Sequence, residues 1–178
     1  GRGTQRARTL GYIECLIDYL TDLRDADVNE ITKDVWKIEK LDIQVKQDLI
    51  RPRKTISFTG ISQPELKEEI KKAVYFQLRI ESLETVKKEL TAIRRLSKYL
   101  KETYPDIHSA EELNRELLEE YLTYLATEAE GVNNYRADLT NLRGLLETIG
   151  KLYGYPHLEN LFLASDLPRQ VQPKLKSY

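Results

Sequence analysis

The chain has 178 residues, 40% of them hydrophobic and 32% charged, which suffices for one domain with a packed core and a well-solvated surface. Twenty-eight basic against 29 acidic residues leave a net charge of −1, so the chain is not a generally basic, adhesive protein; any nucleic-acid contact must come from local segregation of charge. One cysteine excludes an internal disulfide framework, no apolar run of about 18 residues offers a membrane span, and the start GRGTQRARTL lacks a signal peptide's apolar core, so a cytoplasmic protein is expected.

In chain order, Leu10 to Leu23 predicts an amphipathic helix with Ile13, Leu16, Ile17 and Leu20 on one side. Cys15, inside YIECLIDYL, is expected as a small buried hydrophobe. Asp27 to Asp34 reads as a turn or short helix with Thr32 as its cap. DVWKIEKL (34–41) fits strand and helix equally, with Trp36 as a packing anchor. Arg51-Pro52-Arg53 marks a loop, and KTISFT (54–59) alternates like a short strand.

Four consecutive helices are expected after residue 61. Ser62-Gln-Pro-Glu opens the first, with Ser62 as cap, and Leu66, Ile70, Ala73, Val74 and Leu78 follow at helical spacing. Ser82 to Thr103 carries the stripe Leu83, Val86, Leu90, Ile93, Ser97 and Leu100, and Tyr104-Pro105 ends it. A capping box at Ser109-Ala-Glu-Glu opens a helix bearing Leu113, Leu117, Tyr121, Leu122 and Leu125. Gly131 separates this from a last helix, Asn133 to about Tyr153, which Gly154 and Pro156 stop. The chain thus divides into an N-terminal extension (1–60), a helical unit (61–168) and a polar tail (169–178) that reads as a linker.

No catalytic or metal-binding pattern is visible. One Cys and two separated His make no zinc spacing. His108 and His157 both lie beside turn residues and read as surface or capping groups. No Gly-rich phosphate loop and no nucleophile elbow occur, and pairs such as Glu111-Glu112 fit solvated helix faces. No cofactor and no metal are expected.

The chemistry that remains is a segregation of charge. Opposite its apolar stripe, the Ser82 helix carries Lys87, Lys88, Arg94, Arg95, Lys98 and Lys101 against only Glu84, Glu89 and Glu102. Thr85, Lys88, Thr91 and Arg95 line one ridge, and such hydroxyls and cations suit phosphates and base edges. In the last helix Asn134 and Asn141 share a face, with Asn133, Arg136 and Arg143 beside it; the helix start also offers free N–H groups to an anion. Two other readings stand at this point: a solvated Lys/Arg face on a plain bundle, and a helical protein–protein module without DNA binding. Asn133 or Asn134 also suits a simple helix cap.

The segment from about Ser62 to Tyr178 resembles the core-binding region of tyrosine recombinases of the phage-integrase and transposon type. The resemblance rests on LETVKKELTAIRRLSKYLKE, on SAEELNRELLEEYLTYL, on GVNNYRADLTNLRGLLETIGKLYG and on the exit LPRQVQPKLKSY. DVWKIEKL and KTISFTGISQPELKEEIKKAVYFQLR look similar to the leader of recombinases from some Gram-positive transposons.

The resemblance implies a mainly α fold: an orthogonal bundle of about four helices of SAM-like type, with a mixed N-terminal extension of a helix and short strands. It implies half of a C-shaped clamp on double-stranded DNA at a core recombination site, with sister recombinase subunits as partners on DNA and no membrane contact. The matching DNA-facing positions are Glu84, Thr85, Lys88 and Thr91, with Arg94 and Arg95 further along, then Asn133, Asn134, Ala137 and Asn141; Lys98 and Arg136 join the candidate DNA-binding residues from the charge pattern itself. Ala137 stands where relatives are often polar. The family's catalytic arginines, His-x-x-Arg motif and nucleophilic tyrosine are expected beyond Tyr178, so the segment itself is expected to bind and not to cleave.

Overall fold

The computed structural model describes residues 9–18, 20, 29–128 and 135–167. The fold is mainly helical, with a small two-stranded antiparallel sheet near its N-terminal side. Helix α1 covers residues 9–18, and Leu20 is helical too. Strands β1 (Val35–Lys37) and β2 (Thr55–Ser57) pair with Trp36 opposite Ile56. Helices α2 (Pro64–Gln77), α3 (Leu83–Thr103), α4 (Arg115–Thr127) and α5 (Tyr135–Tyr153) follow.

The ambiguity of DVWKIEKL is resolved by division. Val35–Lys37 pairs with β2, and Ile38–Lys40 then turns as a short 3-10 segment. Alternation puts Trp36 and Ile56 inward, and Phe58 follows on the same side. The Trp36 ring lies 4.6 Å from that of Phe58, and its Nε1 donates to the Lys33 carbonyl at 3.0 Å. The only tryptophan is therefore the packing anchor expected, fully buried. These residues join the helical side chains in one continuous core that reaches Phe162.

Several local expectations change. Thr32 is not a cap: Asn29 takes that place at the 3-10 turn Glu30–Thr32, its Oδ1 accepting from the Ile31 N–H at 3.3 Å. Ser62 does not cap α2, because Gln63 is the residue before Pro64. The Ser62 N–H donates to Ser97 Oγ at 2.9 Å, and that hydroxyl donates to Gln63 Oε1 at 2.6 Å. The polar residue in the α3 stripe is thus buried because it ties down the entry to α2. Ser109 caps only a 3-10 turn, Ala110–Glu112. Helix α4 begins later, with Asn114 Oδ1 accepting from the Leu117 N–H at 2.9 Å. Cys15 is exposed, contrary to expectation, since α1 packs none of its side chains against the core.

The expectation for α3 agrees in its apolar stripe but not at Glu89, which was expected on the outer charged surface: its carboxyl is 5% exposed and turned inward toward Gln77 of α2 and Gly144 of α5. Ser82 caps it by accepting from the Thr85 N–H at 3.2 Å, and all six stripe residues are buried. Helix α5 packs against both α2 and α3. Glu89 of α3 meets Gly144 of α5, while Arg95 of α3 meets Asp138 of α5. Six residues forward on one helix match six backward on the other, so the two run antiparallel. Beyond α5, Gly154 adopts φ +69°, a conformation suited to glycine, and lets the 3-10 turn Pro156–Asn160 fold back. There Gly150 leaves room for the Tyr155 carbonyl, which a Cβ would approach to 2.9 Å.

Candidate nucleic-acid interface

The outward strip of α3 has two edges. Arg95 marks the first, in an ion pair with Asp138 of α5. Arg94 marks the second, where its Nη2 donates to the Ser57 carbonyl of β2 and its stem packs against Gly60. At 100° per residue, Thr91 and Lys98 fall between these edges and Lys88 falls beside Arg95. Lys88, Thr91 and Lys98 are exposed, and neither lysine has an ion-pair partner among the described residues. Thr91 Oγ1 donates to the Lys87 carbonyl at 3.0 Å, which leaves its lone pairs turned outward. Thr85 is half-buried and tied to the Ser82 hydroxyl at 3.1 Å.

The strip from Thr91 onward lines a trough of about 840 Å³ that Gly60, Ser62 and Tyr124 also line, with Glu102 and Glu128 as its acidic members. Thr91, Arg94, Arg95, Lys98 and Lys101 all line it. A second, smaller depression continues past Lys87, Thr91 and Arg94 toward Thr55 and Ser57. Burial lowers the pKa of Lys87, and the nearby charges of Arg53 and Arg94 lower it further against an opposing Glu84. Lys87 and Arg94 thus line one depression, with the positive charge of Arg53 reaching Lys87 and only Glu84 opposing it, a local field that favours an anion. Arg53 was missed from the sequence because Arg51-Pro52-Arg53 reads only as a loop. The density of cations there was the available signal.

Helix α5 contributes less than expected. Asn141 is half-exposed and lies on the same ridge as Asp138 and Gly144, beside α3. Arg136 is exposed on another side, where it lines a depression with Leu122, Leu139 and Asp166. Arg143 pairs with Glu147 at 2.6 Å. Asn133 and Asn134 lie outside the described residues. The structure thus gathers Lys88, Thr91, Arg94, Arg95, Lys98 and Asn141 about one α3 face, and leaves Arg136 away from it.

A boundary is also visible. Glu102, Glu116, Glu119, Glu120 and Glu128 line an adjoining trough at the C-terminal end of α3, with Tyr99 and Tyr124 among its walls. Tyr104 donates its hydroxyl to Glu120 there. That acidic face repels a polyanion, so the basic footprint lies on α3 from Lys87 to Lys98 and on the loop before β2. Among the described residues no cluster of metal-ligating side chains occurs, and no helix is long and apolar enough to cross a membrane. No protein-family model matches the chain, and neither a curated protein nor a solved structure matches it.

Proposed function

We propose that this chain holds duplex DNA with the outer strip of α3, as the core-binding half of a tyrosine-recombinase clamp. The observation that carries the reading is the run of exposed Lys88, Thr91 and Lys98 on the outer strip of α3, beside Lys87 and Arg94, which together line one depression against β2. In this reading the lysines neutralise phosphates and so supply affinity and salt dependence. Thr91 and Asn141 reach backbone or base edges from the same face, as hydroxyl and amide groups do in a major groove wide enough for an α-helix.

The two arginines act differently from the lysines. Arg95 fixes the α3–α5 crossing through Asp138, and Arg94 fixes α3 to β2. They add positive field while holding the frame. The four helices α2 to α5 correspond to an orthogonal, SAM-like core-binding bundle in this reading, and strand cleavage belongs to a separate catalytic domain. Sister subunits meet on the DNA.

The test is a titration of a fluorescent duplex at low salt with the parent and with Lys88→Glu/Lys98→Glu. Both side chains are exposed, so unfolding behaviour should be unchanged while affinity falls by about tenfold or more. Equal affinity of parent and double variant, or no binding by the parent, would remove α3 as the contact.

A further inference from the structure

A second surface, unrelated to the basic strip, is apolar and unpartnered on both of its halves. The first half is α1. Leu10, Ile13, Ile17 and Leu20 recur with steps of three, four and three, and Leu16 lies beside them. All five are exposed, between 43% and 56%. Such a stripe is a helix face built to be covered. Glu14 and Asp18, one turn apart, flank one edge of it, and neither has a cation partner among the described residues.

The second half is a groove of about 560 Å³ where the C-terminal ends of α2 and α5 meet the Glu30–Thr32 turn. Ile31, Tyr75, Phe76, Leu152 and Tyr153 line it, with Phe76 at 44% and Leu152 at 43% exposure. Its unpaired charges are positive. The Lys72 ammonium sits 5.3 Å from the centre of the Tyr153 ring, and the Arg79 guanidinium 4.9 Å from that of Tyr75. Lys71 and Glu68 at the same place neutralise each other at 3.0 Å. An acid-edged apolar helix and a base-edged apolar groove therefore lie on one chain, and each lacks what the other offers.

We propose that α1 of one copy seats its apolar stripe in the α2–α5 groove of a second copy, with Glu14 and Asp18 toward Lys72 and Arg79. This is helix-in-groove recognition, and made reciprocally it closes a two-fold dimer. The proposal does not depend on the DNA reading, because the groove residues are none of those on the α3 strip.

The test uses the whole chain and multi-angle light scattering across concentration. The parent should form dimers. Ile13→Asp/Ile17→Asp on α1 and Phe76→Glu in the groove should each weaken association at least tenfold. Mixing these two variants should restore a heterodimer, since one intact helix then meets one intact groove. Lys72→Glu/Arg79→Glu should weaken association while every apolar side chain of the groove stays in place, and Glu14→Lys/Asp18→Lys in the partner should recover it. Cys15 lies on the opposite side of α1 from the stripe, so a fluorophore on this single thiol reports proximity in the same mixtures. A monomeric parent up to about 1 mM, a range that covers even weak association, would overturn the proposal. So would loss of dimers in the α1 variant with no effect of the groove variants, the signature of α1 pairing with α1.

Discussion

The sharpest prediction about the fold concerns Glu89, a carboxyl buried among α2, α3 and α5. It is 5% exposed, and no cation pairs with it among the described residues. Its Oε1 accepts one bond, from Gln77 Nε2 at 3.2 Å, and the same nitrogen donates to Thr148 Oγ1 at 3.2 Å. Glu89 Oε2 and Gln77 Oε1 have no hydrogen-bond partner among the described residues. Two buried acceptors without a donor favour a proton on the acid. Burial is the main cause of a pKa raised from the ordinary 4.5 to about 7; Glu81 adds to the rise and the Gln77 amide opposes it.

Because the folded protein holds this proton more tightly than the unfolded chain, Glu89 contributes stability that is complete below pH 4.5. That contribution is lost as pH rises through about 7. The difference between the two pKa values is worth about 3 kcal/mol at ~1.36 kcal/mol per pH unit. Glu89→Gln keeps the shape and supplies a permanent N–H donor, so it should match the parent near pH 4.5 and exceed it by about 3 kcal/mol at pH 8. For a chain of this size that is roughly 6–12 °C in melting temperature. Urea or thermal unfolding of both proteins at intervals between pH 4.5 and 8 measures the gap directly, and taking the difference cancels other titrating groups. A gap that stays constant with pH, or narrows as pH rises, would refute the reasoning.

Other outcomes follow from the same geometry. Gly150→Ala places a Cβ 2.9 Å from the Tyr155 carbonyl and 3.1 Å from Leu158 Cβ, so chemical denaturation should show a loss of about 1–3 kcal/mol. Ser97→Ala strips a buried partner from both the Ser62 N–H and Gln63 Oε1 and should cost about 1–3 kcal/mol in the same assay. Asp138→Asn releases Arg95 from a pair in which both side chains are about a quarter open to water. Stability should change by less than about 1 kcal/mol. Duplex binding, read by anisotropy, should tighten, and its logarithmic salt slope should steepen by about 1.

How much of this was legible in the sequence depended on whether a signal was local. Helix α3 was read to within one residue, because the six-residue stripe and Tyr104-Pro105 each act within a turn of the backbone; Ser82, read as its first residue, is its cap. The body of α5 was read equally well from Leu139, Leu142, Leu145, Leu146 and Ile149. The start of α4 was missed because Ser109 and Asn114 are both good caps, and only the tertiary pull decides. Glu69 of α2 accepts from Ser109 Oγ and from the Ala110 N–H, each at 2.7 Å, and holds that turn apart from the helix. Cys15 was misplaced because its apolar neighbours in YIECLIDYL were taken together, whereas at 100° per residue the thiol falls opposite the Leu10–Leu20 stripe, on the polar side of α1. At the interface, the basic ridge was visible as spacing, but the roles of its members were not. Nothing near Arg94 or Arg95 in sequence marks Ser57 or Asp138 as their partners.

The account's central claim is that unbalanced cations on the α3 face contact DNA phosphates, and the salt dependence of duplex binding tests it most directly. With Arg53, Lys87, Lys88 and Lys98 each meeting a phosphate, log K against log salt concentration should fall with a slope of roughly −3 to −4. A slope near zero, or no detectable binding at about 50 mM salt where such contacts are strongest, would contradict it.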